Sequence, residues 1–167
     1  MTNHAVLSAS ASHRWLNCPP SVRLTERIPD NGSIYAAEGS EAHELCEFKL
    51  RQLLGMEAHN PLDTPIGLQY YDGTMEDAAT GYAAFVLELL EEIRKTCSDP
   101  IVMVEQKLDY SRWVKDGYGT GDAVIVADGT LHVVDFKYGT GVLVSAEGNS
   151  QMRLYALGAL DMFGELY

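Results

Sequence analysis

Apolar residues recur at helical spacing over two long stretches and then at strand spacing over three. Ala42, Leu45, Cys46, Leu53 and Leu54 form a stripe that predicts a helix over Glu41–Leu54, with Ser40 as N-cap and Gly55 just past its end. Tyr82, Phe85, Val86, Leu89, Leu90 and Ile93 follow the i, i+3, i+4, i+7 pattern. They predict a longer helix, capped by Thr74 and ending near Lys95. Strands are expected at Ile101–Tyr110, Thr120–Ala127 and Thr130–Tyr138, and a last helix at Asn149–Met162. A short helix over Ser10–Asn17 should end at Cys18-Pro19-Pro20, because proline cannot continue it. Pro29–Tyr35 and Met56–Gly73 read as irregular. The order predicts an α+β fold: helices, a three-stranded meander, then a helix that covers it.

The second and third strands meet at Asp128-Gly129, a dipeptide that favours a tight hairpin turn. With Ala127 opposite Thr130, Asp122 falls opposite Asp135 on the neighbouring strand. Alternation then predicts Asp122, Asp135 and Lys137 on one face, together with Val124, Val126, Leu131 and Val133. Ala123, Ile125 and Val134 take the other face. Two opposed carboxylates about 5 Å apart repel by roughly 3 kcal/mol at an effective dielectric near 20. A divalent cation removes that cost, and so does a raised pKa. A sheet apolar on both faces has no packing use for two acids and a lysine at one place, which favours a Mg²⁺ or Mn²⁺ site over scattered surface charge. The Phe136 backbone carbonyl is a further candidate ligand, since such ions take oxygen donors.

The 167 residues suffice for one domain with its own core. It is expected to divide into an N-terminal helix and loop (1–37), a helical part (38–98) and a sheet with its following helix (99–167). A net charge of −12 argues against a broad basic surface for nucleic acid. No apolar run approaches the ~18 residues that cross a bilayer, and no secretory leader is visible, so no membrane partner is expected. Three scattered cysteines are too few for a disulfide framework, which suggests a reducing cytoplasm. Gly119-Thr120-Gly121 and Gly139-Thr140-Gly141 lack the Gly-Lys-Ser/Thr ending of a phosphate loop. They are expected to let the backbone bend at the mouth of the site.

Four elements in order then carry a resemblance: Glu38-Gly39-Ser40-Glu41-Ala42-His43, Gly119-x-x-Asp122, Asp135-Phe136-Lys137 and Gln151-x-x-x-Tyr155. The series resembles the RecB-like branch of the PD-(D/E)XK nucleases, and within it a family common in phages and prophages. It runs from about Leu7 to Leu160. The resemblance implies a restriction-endonuclease-like fold with a mixed central sheet. It also implies a DNA nuclease, exonuclease-like, that serves phage DNA metabolism or recombination through metal-activated water. His43, Asp122 and Asp135 would hold the metal, Lys137 would be the catalytic lysine, and Gln151 and Tyr155 would contact the DNA strand. Read without it, His43 is a solvated or packing histidine, and Gln151 and Tyr155 are plain helix surface. Glu105 lies in the first strand, with Met103 and Lys107. Some relatives use an acid there; otherwise it is a strand-edge charge.

The chain departs from the family pattern twice. Several RecB-like nucleases tie an N-terminal Cys-Pro cysteine to three more around a [4Fe–4S] cluster, but Cys46 and Cys97 do not match those positions. No cluster is expected, and Cys18 reads as a buried packing thiol or an orphan ligand. The family core runs α-β-β-β-α-β, whereas this chain stops just after the second core helix, with a closing strand missing or only begun at Glu165-Leu166-Tyr167. A fragment is therefore expected, with an open sheet edge that invites pairing with another copy. The alternative to a nuclease is a catalytically inactive, acidic phage interaction protein on the same scaffold.

Overall fold

Two helices, a meander and a third helix stack as three layers around the sheet. The computed structural model describes residues 5–25, 28, 32–139 and 143–165. Helices α1 (Ser12–Asn17) and α2 (Ser21–Thr25) lead into α3 (Ile34–Leu53) and α4 (Gly73–Ile93). Strands β1 (Ile101–Asp109), β2 (Tyr118–Ala127) and β3 (Thr130–Val134) follow, and α5 (Ser150–Phe163) comes last. The α+β class holds. The sheet order is β1-β2-β3 and both pairings are antiparallel, so the described strands do not form the mixed sheet that the family resemblance implied.

Caps decide where the helices begin. Ser33, not Ser40, starts α3: its side chain accepts from the Ala36 N–H, while Ser40 lies inside the helix and donates to the Ala36 carbonyl. Ile34 and Tyr35 therefore belong to a helix and not to a loop; positions 29–31 of that expected loop lie outside the described residues. Asp72 caps α4 through the Met75 N–H, two residues before the expected Thr74. A carboxylate at that position also meets the positive end of the helix dipole. Asn149 caps α5 by accepting from the N–H groups of Gln151 and Met152. Helix α2 was not foreseen from the sequence.

The hairpin has the register that its turn predicts. Ala127 pairs with Thr130 and Ala123 with Val134, and Gly129 takes the positive φ of 66° that such a turn needs. The ladder ends at Val134, so Asp135–Tyr138, expected as strand, lie beyond it. Two apolar clusters sandwich the sheet. Ala123 and Ile125 pack with α3 and α4, including Leu45, Leu50, Val86 and Leu90. Val124 and Val126 pack with Leu154 and Ala159 of α5 and Trp15 of α1. Each fully buried aliphatic side chain contributes roughly 1.5–3 kcal/mol, so the two layers fix how α3 and α5 sit against β2.

Alternation slips at one place in each of two neighbouring strands. In β1, Val104 faces α3 and α4, yet Leu108, four residues on, faces α5. In β2, a methyl group at Gly121 would meet Leu108 and Val124 on the α5 side, yet Ala123 faces α3 and α4. The register is the same on either side of the slip: Val104 pairs with Ala123 and Gln106 with Gly121. Between them stand Glu105 and Asp122, opposite each other and outside the ladder. Glu105 has a φ of +53°, a left-handed conformation that costs a non-glycine residue about 1 kcal/mol. The backbone breaks its pleat where two acids meet.

The glycines of β2 serve packing, not bending. A methyl at Gly119 would lie 2.6 Å from the Tyr155 ring, so its absence lets α5 lie close on the strand. Of the second glycine-rich run, Thr140 and Gly141 lie outside the described residues, as do Leu166 and Tyr167 of the expected closing strand. Among the described residues no fourth strand flanks β3. Cys18 is exposed and not the buried packing thiol expected of it, because α1 ends there at the surface. No described helix is long and apolar enough to cross a membrane.

Candidate metal centre

Helix α3 brings His43 to the slipped segment of the sheet. His43 Nδ1 lies 3.2 Å from Asp122 Oδ1, and the Phe136 N–H donates to the other carboxylate oxygen, Oδ2, at 2.5 Å. Glu105 completes a cluster in which one ligand atom from each of His43, Glu105 and Asp122 lies within 4.8 Å of the others. Adjacent ligand atoms on a six-coordinate ion with bonds near 2.1 Å are about 3 Å apart, so the His43–Asp122 spacing already suits a shared cation. One imidazole nitrogen and two carboxylates form a donor set that Mn²⁺ accepts readily and that Mg²⁺ accepts with waters in the remaining positions.

Asp135 stands beside this trio but turns to different partners. It ion-pairs with Lys137 and accepts from Gln151 Nε2 at 2.9 Å. Asp122 is thus held by α3 and Asp135 by α5, which corrects the expectation that Asp122, Asp135 and Lys137 act from one sheet face. The physical reason is the slip at Asp122, which takes it out of step with Val124. All of these groups still line one cleft of about 890 Å³, where α3, the sheet and α5 meet. His43 and Asp122 on one wall and Asp135, Lys137 and Gln151 on the other can therefore reach one bound group.

Gln151 and Tyr155 are not plain helix surface. Gln151 Nε2 also reaches the Tyr155 hydroxyl at 3.3 Å, while the Tyr155 ring is buried beside Gly119. The ring of Phe136 packs edge-on to His43 at 5.5 Å, which fixes the imidazole plane. Read from its own neighbours Glu105 was a strand-edge charge, and only the resemblance offered it as a group at or beside the metal; the structure puts it in the cluster with His43 and Asp122. Its place beside His43 depends on a left-handed backbone that its sequence neighbours do not signal.

The electrostatics of the trio are those of a site that attracts positive charge. Burial pulls the His43 pKa down, but the hydrogen bond and charge of Asp122, with Glu105 and Asp135, more than offset it and leave it above the ordinary value. Burial, reinforced by Asp122 and Glu47, pushes the Glu105 carboxyl up to about 7. Burial also raises Asp135, opposed by the bond and charge of Lys137.

The Glu105 shift has a measurable consequence. Its folded pKa lies above its unfolded value of 4.5, so folded protein holds the proton more tightly. The resulting stability is fully present below pH 4.5 and is lost as pH rises through about 7. In EDTA, urea unfolding should show Glu105→Gln matching wild type near pH 4 and exceeding it at pH 8. The expected gain is on the order of 1 kcal/mol, because the open cleft screens the charge. Equal stabilities at pH 8 would show that Glu105 does not carry this burden.

A family model described as protein of unknown function (DUF2800) matches residues 4–167, nearly the whole chain, and the chain belongs to that family. No solved structure matches it.

Proposed function

We propose that this DUF2800 chain is a metal-dependent DNA nuclease domain of the PD-(D/E)XK type, RecB-like branch, related to phage and prophage proteins. One observation supports this most: His43, Asp122, Asp135, Lys137, Gln151 and Tyr155, drawn from separate segments by resemblance, all line a single cleft. A scaffold with no chemistry at this place has no need to bury Asp122 and Asp135 against each other's field and to strain Glu105.

A Mg²⁺ or Mn²⁺ ion held by His43, Glu105 and Asp122 would neutralise a phosphate oxygen and acidify water. The protein's own groups then divide the work. Asp122 keeps His43 and the Phe136 backbone in register, and the Phe136 carbonyl remains a candidate donor. Lys137, ion-paired with Asp135, is placed to orient the attacking water or offset charge on the phosphate. Gln151 fixes Asp135 and offers its carbonyl to the strand, and Tyr155 supports Gln151 from beneath. The substrate is DNA and the activity exonuclease-like. Among the described residues no further strand pairs with β3, and such an edge suits pairing with a second copy.

Lys137 is the only lysine or arginine among the described residues that line the cleft. With a net charge of −12, that favours the second proposal, an inactive interaction protein on a nuclease scaffold. Both are decided by incubating the purified chain with linear and circular DNA in Mg²⁺, in Mn²⁺ and in EDTA. The nuclease predicts cleavage in either metal, none in EDTA, and loss of cleavage in Asp135→Ala and Lys137→Ala. Cleavage that persists in both variants would remove the assignment of this site. A folded protein with neither divalent affinity nor DNA affinity at low salt would favour the interaction protein.

A further inference from the structure

Behind the acidic cluster lies a tyrosine that the nuclease proposal leaves without a task. Tyr82 of α4 is 8 % exposed, and its hydroxyl is buried with no hydrogen-bond partner among the described residues. Buried hydroxyls are normally paired, and leaving one unpaired costs about 1–3 kcal/mol. Phenylalanine would fill the same space without that cost. Ring packing alone therefore does not explain a tyrosine at this position.

Its surroundings indicate what the hydroxyl is for. The Tyr82 ring packs on Phe136 at 5.3 Å between centroids, and the other side of that contact is the edge-on pair of Phe136 with His43. Tyr82 therefore stands one ring away from the metal centre, behind it and away from the mouth of the cleft. Besides burial, the charges of Asp122, Glu105 and Asp135 all act on its phenol and hold it protonated. A phenol kept as a donor, within the field of carboxylates that still have lone pairs free, is a complementary set.

We propose that Tyr82 is a positioning residue of the metal centre, whose hydroxyl donates through one water into the Asp122–Glu105 carboxylate pair and holds it in the orientation a cation requires. Groups that support metal ligands in this way typically change affinity about 10- to 100-fold when removed. The proposal rests on the metal-site assignment made above. It adds a residue that the family resemblance did not include.

The test is Mn²⁺ binding by wild type and Tyr82→Phe, followed by electron paramagnetic resonance, with thermal unfolding of both proteins in EDTA. Tyr82→Phe keeps the ring and should unfold in EDTA at or above the wild-type temperature. Its Mn²⁺ dissociation constant should rise about 10-fold, with an altered spectrum of the bound ion. An unchanged constant and spectrum would overturn the role of Tyr82 and leave the metal site standing. If wild type binds no Mn²⁺, the metal site falls and the proposal falls with it.

Discussion

Asp122→Asn should lower metal-dependent cleavage about 1,000-fold or more and abolish measurable Mn²⁺ binding, while the chain stays folded. Asp122 is the joint of the site: one carboxylate oxygen meets His43 and the other accepts the Phe136 N–H. An amide of the same shape offers one oxygen where two are used. Its NH₂ group must then face either the Phe136 N–H, which is a donor, or the His43 ring nitrogen. The negative charge that holds His43 above its ordinary pKa disappears as well. Loss of the charge-assisted bonds costs roughly 1.5–3 kcal/mol. Relief of the repulsion with Glu105 and Asp135 offsets part of that, so circular dichroism in EDTA should be close to wild type. Affinity and cleavage should collapse together, because without the acid no cation is held and water has nothing to acidify it. Wild-type Mn²⁺ binding in Asp122→Asn would show that the acid has only a structural role.

Lys137→Met should separate binding from chemistry. Its ammonium group pairs with Asp135, not with the His43–Glu105–Asp122 trio. Mn²⁺ affinity should therefore stay within about 3-fold of wild type. The turnover rate should drop about 100- to 1,000-fold, the range typical of losing one positioned group that stabilises developing charge. The loss should not be rescued by more metal or more DNA. Burial already raises the Asp135 pKa, and without the lysine it rises further. Residual activity should consequently recover in part as the pH is raised. A variant that loses Mn²⁺ binding and cleavage in equal proportion would place Lys137 with the ligands and not with the attacking water.

The register of the site was legible because it rests on short-range chemistry. Asp128-Gly129 sets the turn, and period-two alternation carries that register back to Ala123 and Val134. The same logic failed at Glu105 and Asp122. A run such as Val104-Glu105-Gln106 contains no glycine or asparagine to announce a left-handed residue, so alternation was carried straight through it. The start of α3 was misplaced for a related reason. Ile34 and Tyr35 are exposed, so its first turns present no apolar stripe to periodicity, and Ser40 offered a plausible but later cap. Tyr82 was visible only as one member of the α4 stripe. That its hydroxyl ends buried behind three acids depends on how α4 packs against Phe136, a contact between segments more than fifty residues apart.

The most direct test is a crystal structure of the wild-type chain grown with Mn²⁺, using anomalous scattering to locate the ion. The account predicts one strong peak between α3 and the sheet, with the His43 imidazole and the Glu105 and Asp122 carboxylates at about 2.0–2.4 Å and Asp135 facing the same ion or its waters. A peak held by other residues, or none between His43, Glu105 and Asp122 at saturating Mn²⁺, would contradict it.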